Sequence, residues 1–160
     1  MGMRWPVGVS RLKTGPAGRF LERSLSMQKK LNRSYDSLEE MYEITERFFL
    51  NEDVEPSIRF PVHFVMEELF TNMVKYHPEN SNDILLDVNK TEDAVKVSMT
   101  DFDVDAFDVT VDRNINTDAP LEERTPGGLG VHLIHKMVDS LEYDYANRCS
   151  TVTFTKGLNA

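Results

Sequence analysis

The sequence predicts an α+β two-layer sandwich, with a mixed, mostly antiparallel sheet and helices packed on one face. Three observations carry that prediction. Segments 83–90 and 94–102 alternate in polarity and are joined only by "TED", which reads as an antiparallel hairpin. Two apolar stripes at helical spacing precede the hairpin. A third helical run, followed by two more alternating segments, comes after it. The expected order is β-α-α-β-β-loop-α-β-β.

Residues 1–26, "MGMRWPVGVSRLKTGPAGRFLERSLS", carry five basic side chains against one acid and show no sustained period. They are expected to form a disordered extension, or to stem from a start codon assigned too early. In the latter case Met27 is the functional start, and in either case the folded domain spans 27–160. "KKLNRSY" (29–35) reads as a short strand. Ser37 then opens "SLEE", a capping box closed by Glu40. Leu38, Met41, Tyr42, Thr45, Phe48 and Phe49 continue as a helix to about Leu50, with the phenylalanine pair assigned to the core. Pro61 suits the first turn of a second helix, which runs to about Tyr76 and stops before Pro78. In the hairpin, Ile84, Leu86 and Val88 share one face, as do Val95, Val97 and Met99. Residues 103–128 are polar and weakly patterned, and a loop of that length is usually functional or mobile. A helix from about Leu129 to Ser140 follows, then strands at "LEYDYAN" and "STVTFTK".

Composition excludes several classes of function. The net charge is −9, and with +4 in residues 1–26 the remainder carries −13. So acidic a body argues against a nucleic-acid partner, which needs a basic face, and permits a basic protein or a cation. No apolar run approaches the roughly 18 residues that cross a membrane. The single cysteine, Cys149, excludes an internal disulfide framework and fits a reducing cytoplasm.

Two stretches carry chemistry. In "RTPGGLGVHLIHKMVD" (124–139) a proline and three glycines stand at the mouth of a helix. They make either an ordinary glycine-rich turn or a phosphate cradle, since a helix N-terminus offers unpaired N–H groups and a partial positive charge. In the second helix, Val62, Val65, Leu69 and Met73 form the buried stripe. At about 100° per residue, Glu68, Asn72 and Lys75 line one edge beside it. That row is either a solvated polar edge or a base, a metal ligand and a phosphate-binding cation. Amide and carboxylate oxygens suit magnesium, a hard cation.

"EELFTNMVKY" resembles the asparagine-bearing helix of the GHKL superfamily, whose fold serves sensor histidine kinases and gyrase. "TPGGLGVHLIHKMVD" with "LEYDY" and "STVTFTK" resembles that superfamily's second glycine motif and closing strands. Size and element order resemble the small branch, the bacterial anti-sigma-factor serine/threonine kinases, over Lys29 to Lys156. The resemblance implies a Bergerat-type ATP-binding fold and ATP with magnesium as cofactors. It implies Asn72 as the magnesium-binding asparagine, Glu68 as the acid that activates the attacking hydroxyl, and Lys75 as a phosphate contact. Gly127, Gly128, Leu129, Gly130 and Val131 match the phosphate-wrapping turn, with Arg124 and Thr125 at the hinge of a lid. In the middle the chain departs from the family, which expects an aspartate, one residue, a glycine and then a phenylalanine. "DFDVDAFD" offers Asp101 as the adenine-binding aspartate with Asp103 in the glycine's place, or Asp103 as the aspartate with Asp105 in that place. Phe107 lies one residue late on the first register.

Other residues are not promoted. His132 and His135, at i,i+3, lack a third ligand nearby in sequence. His63 and His77 are expected at the surface or at a helix end. The aspartates of "DVDAFDVTVD" do not fit an EF-hand loop. The resulting expectation is a cytoplasmic, dimeric protein serine/threonine kinase. It would phosphorylate a serine of a small antagonist protein and sequester a sigma factor or similar regulator. The alternative is a non-catalytic partner-switching module of the same fold with weak or lost nucleotide binding.

Overall fold

The computed structural model describes residues 25–111 and 128–159. The order is β1 (Leu25–Leu31), α1 (Ser37–Asn51), α2 (Pro56–Tyr76), β2 (Ile84–Lys90), β3 (Ala94–Phe102), α3 (Gly128–Met137), β4 (Ser140–Ala146) and β5 (Cys149–Gly157). The strands lie in the order β1-β2-β3-β5-β4, and every neighbouring pair is antiparallel. The α+β layering is as the sequence predicts, but among the described residues the sheet is antiparallel throughout rather than mixed.

Alternation decides which face of the sheet is covered. Leu86 stands opposite Met99, Val88 opposite Val97, and Val97 opposite Phe154, and all five are fully buried. The buried stripe of α2, with Val62, Val65, Leu69 and Met73, packs into the same core. The other face carries hydroxyl pairs across the ladder, Ser98 with Thr153 at 2.9 Å and Thr100 with Thr151 at 3.0 Å. Among the described residues no helix is long and apolar enough to cross a membrane.

Several boundaries differ from the sequence reading. β1 begins at Leu25, four residues before the expected strand and two before Met27, and ends where Ser34 N–H donates to Asn32 O at 2.8 Å. The capping box does not form. Ser37 is a buried first helical residue, and Glu40 instead pairs with Lys29 at 2.6 Å. The first helical N–H groups are taken by the preceding turn, with Ser37 N–H donating to Ser34 O and Leu38 N–H to Tyr35 O. Pro56, not Pro61, occupies the first turn of α2, and Pro61 lies within the helix. α3 stops at Met137 because Asp139 N–H already donates to Thr155 O, at 2.8 Å, at the entry to β4.

Candidate functional site

The C-terminal half of α2, the end of β3 and the start of α3 meet over the core. Glu68 and Asn72 are one helical turn apart on α2. Asn72 is only 6% exposed, and among the described residues none hydrogen-bonds its amide. It lines a cavity with Met73, Tyr76, Asp101, Phe107 and Tyr143. That cavity measures about 10 Å³, room for at most one water. Phe107 fills the space beside it. Its ring lies on Tyr76 with centroids 4.6 Å apart, and its N–H donates to the Tyr143 hydroxyl at 3.1 Å.

Glu68 is half-buried beneath α3, so close that a Cβ at Gly130 would overlap its carboxylate. The glycine therefore admits the acid rather than relieving a strained backbone. Burial pushes the Glu68 carboxyl above its ordinary range, and the neighbouring Glu67 pushes the same way. Val131, the next residue of α3, is buried. Lys75 is exposed, with its ammonium 5.4 Å from the centre of the Tyr76 ring, which lines the same cavity as Asn72. Along α2 the three residues expected on one edge differ in exposure: a buried amide, a half-buried acid and an exposed cation. Gly128 and Leu129 contribute the backbone that opens α3. Arg124, Thr125 and Gly127 lie outside the described residues, as does most of the expected lid.

At the end of β3 the two candidate aspartates of "DFDVDAFD" differ in backbone conformation. Asp103 has a φ of 55°, the left-handed region, and Asp105 does not share that conformation. Glycine favours this conformation and aspartate tolerates it, so the backbone at Asp103 has the shape that a glycine adopts most readily. The Asp103 side chain turns to solvent and pairs with Arg148 at 2.6 Å, and Asp105 pairs with the same guanidinium at 2.9 Å. Both partners hold the Arg148 pKa above its ordinary value. An open cavity of about 360 Å³, lined by Asn80, Asp103 and Arg148, shares Tyr76 and His77 with the closed one.

Asp101 is 1% exposed, and the sequence reading missed the residue that makes this tolerable. Arg33, just past β1, sends its guanidinium into a two-pronged pair, Nη2 to Asp101 Oδ1 and Nη1 towards Oδ2. Nη1 also donates to Met73 O at 2.9 Å, in the last turn of α2, and Nε to Asn82 O at 3.3 Å. The only sequence signal was a buried acid in need of a countercharge. His63 was also misplaced. It is half-buried between α1 and α2, 2.9 Å from Thr45 Oγ1 and stacked against Tyr42 and Phe49. A third cavity, of about 420 Å³, lies there, between Tyr42, Arg59, Phe60 and His63 and away from the motif residues. His135 contacts Thr110 O at 2.7 Å, and among the described residues no cluster of three or more His, Cys, Asp or Glu could hold a metal.

The sequence model of the histidine kinase-like ATPase domain matches residues 31–156. No curated protein matches. Among solved structures, a chain of the SiaB-SiaC complex from Pseudomonas aeruginosa superposes with a TM-score of 0.62 at 17% identity. The match covers 81% of this chain and 88% of that one.

Proposed function

The chain belongs to the histidine kinase-like ATPase domain family, and from that premise we propose that it binds ATP with magnesium and transfers the γ-phosphoryl group to a serine or threonine of a small antagonist protein. In this reading it also holds a sigma factor or similar regulator and works as a dimer in the cytoplasm. The observation that carries it is the meeting of three separated segments. Glu68 lies beneath Gly130, and Asn72, one turn on, lines a cavity with Asp101.

The residues fit magnesium as it is usually held beside nucleotide, by one or two protein oxygens plus phosphates rather than by a protein cage. Asn72 presents such an oxygen from a buried position without a described partner. When bound, the cation neutralises charge developing on the phosphates. The chain's own residues do the rest. Backbone N–H groups opening α3 face the anion, and Glu68 accepts the proton of the incoming hydroxyl as its oxygen bonds to the γ-phosphorus and the bond to the β-phosphate oxygen breaks. A raised pKa makes Glu68 a stronger base. A protein acceptor agrees with the fold likeness to a chain from a two-protein complex.

One observation favours the second reading, a non-catalytic module. The Asp101 cavity holds about 10 Å³, and Phe107 with Tyr76 fills its surroundings. Adenine enters only if that aromatic pair moves.

Replacing Glu68 with Gln keeps size and removes the charge. Nucleotide affinity should hold or rise, because a carboxylate beside a polyanion repels it. Phosphoryl transfer to the antagonist protein should fall roughly 10²-fold or more, as for loss of a general base. Calorimetric titration with ATP measures the first and radiolabelled ATP with candidate antagonist proteins the second, and transfer at the wild-type rate would sink the mechanism.

A further inference from the structure

Arg33 lies outside every nucleotide motif, yet its guanidinium pairs with the aspartate at the centre of the site. We propose that Arg33 is a positioning residue that makes the base pocket select adenine over guanine; this rests on the ATP-binding reading above. A carboxylate carries two oxygens and about four lone-pair sites. The inner pair, one on each oxygen, is what a planar two-donor group takes. Arg33 already occupies it, with Nη2 on Oδ1 and Nη1 towards Oδ2, and the ion pair is nearly sealed from solvent, with side chains 4% and 2% exposed.

Two consequences follow for an incoming base. Guanine presents two adjacent donors, N1–H and the 2-amino group, which a free carboxylate accepts side by side. Asp101 has no such pair of acceptors left. Turned the other way, guanine sets its 6-oxo group against an anion. Adenine needs one acceptor for its 6-amino group, and each Asp101 oxygen retains an outer lone pair. The guanidinium cannot swing aside to release the inner pair, because Met73 O and Asn82 O hold Nη1 and Nε. Asp101 is thus fixed at one orientation by three elements at once: the turn after β1, the last turn of α2 and the loop before β2.

The test compares Mg·ATP, Mg·GTP and the magnesium complex of 2,6-diaminopurine riboside triphosphate by calorimetric titration of the full chain. The wild type should bind ATP about 100-fold or more tightly than GTP, as a site loses a ligand that leaves polar groups mispaired. The diaminopurine nucleotide, which keeps the 6-amino donor, should bind within about tenfold of ATP. Arg33→Lys retains the charge and loses the planar fork. It frees one side of Asp101, so the preference for ATP should shrink to about tenfold or less. A purely structural ion pair would tolerate Lys and leave the preference untouched, so unchanged discrimination in a cooperatively melting Arg33→Lys overturns the proposal alone. Arg33→Gln, which keeps two donors without the charge, serves if Lys does not fold, and the same outcome counts against us. Wild-type binding of GTP within tenfold of ATP overturns the proposal whatever the variants do. Binding of none of the three nucleotides overturns the ATP reading and this inference together.

Discussion

In the proposed mechanism Glu68 answers to two demands on one side chain. As a base it must be reachable and poorly solvated, and as a charged group on a helix it is stabilised by water. Its position beneath Gly130, with the carboxyl pKa raised by burial, favours the first demand over the second. Gly130 makes that possible, so its replacement discriminates function from stability. Alanine within a helix is worth about 0.5–1 kcal/mol over glycine, and Gly130 needs no left-handed backbone. The obstructing atoms are the far end of a flexible side chain, so Gly130→Ala should displace the Glu68 carboxylate rather than unfold α3. The melting temperature should stay level or rise, while phosphoryl transfer falls by about tenfold or more, the lower range for a misplaced base. A variant that melts normally and transfers phosphate normally would show that Glu68 does not need its place under α3. That Glu68 and Asn72 lie one turn apart on one helix could be read from the sequence because their spacing is local. Arg33 could not, because its partner Asp101 lies 68 residues away, and one sequence carries no signal for a pairing that only the fold creates.

At the scale of elements, the sequence was most legible where one period ran uninterrupted. The hairpin β2–β3, the stripe of α2 and the closing strands follow alternation or the helical repeat, and burial in the core enforces each. It was least legible at ends. Ser37 and Glu40 spell a capping box, but the turn at Ser34–Asp36 supplies the acceptors first, and Lys29 takes the Glu40 carboxylate. Pro61 looked like a helix start because the polar stretch before it resembled a loop, whereas Pro56 already fits the first turn. Burial of Ile58 and Val62 favours extending the helix. The α1–α2 contact holds the other residue misread, His63. Burial lowers its pKa, Arg59 lowers it further and Glu46 opposes both. The folded protein therefore binds fewer protons there than the unfolded chain at mildly acid pH. His63 contributes stability that is fully present above about pH 6.5, the unfolded value, and is lost as pH falls through the folded one. Denaturant melts of wild type and His63→Gln should converge or diverge accordingly. The wild type should lose stability between pH 7.5 and 5.5 more steeply than the variant. Parallel pH profiles would show that protonating His63 is not felt by the α1–α2 contact.

The molecule as a whole carries a net charge of −9, and this decides how its ligand tests must be run. Like charges spread over a compact body repel one another, and folding holds them closer than the unfolded chain does. Salt shortens the reach of that repulsion, from about 30 Å at 0.01 M to about 10 Å at 0.1 M. Magnesium chloride should therefore raise the melting temperature even without nucleotide, by screening alone. Sodium chloride at the same ionic strength should reproduce that rise. Site binding behaves differently, because it stabilises through mass action at one place. With ATP at ten times its dissociation constant, the gain should be roughly 1.4 kcal/mol, or about 3–5 °C for a domain of this size. That increment should appear with magnesium and ATP together, persist at matched ionic strength, and shrink in Asn72→Ala, which removes the buried amide from the cavity. Suppose instead that sodium chloride with ATP gives the same shift as magnesium with ATP. The cation would then be acting on the overall charge, and the case for a magnesium-nucleotide site at Asn72 would fail, leaving the non-catalytic module as the better reading.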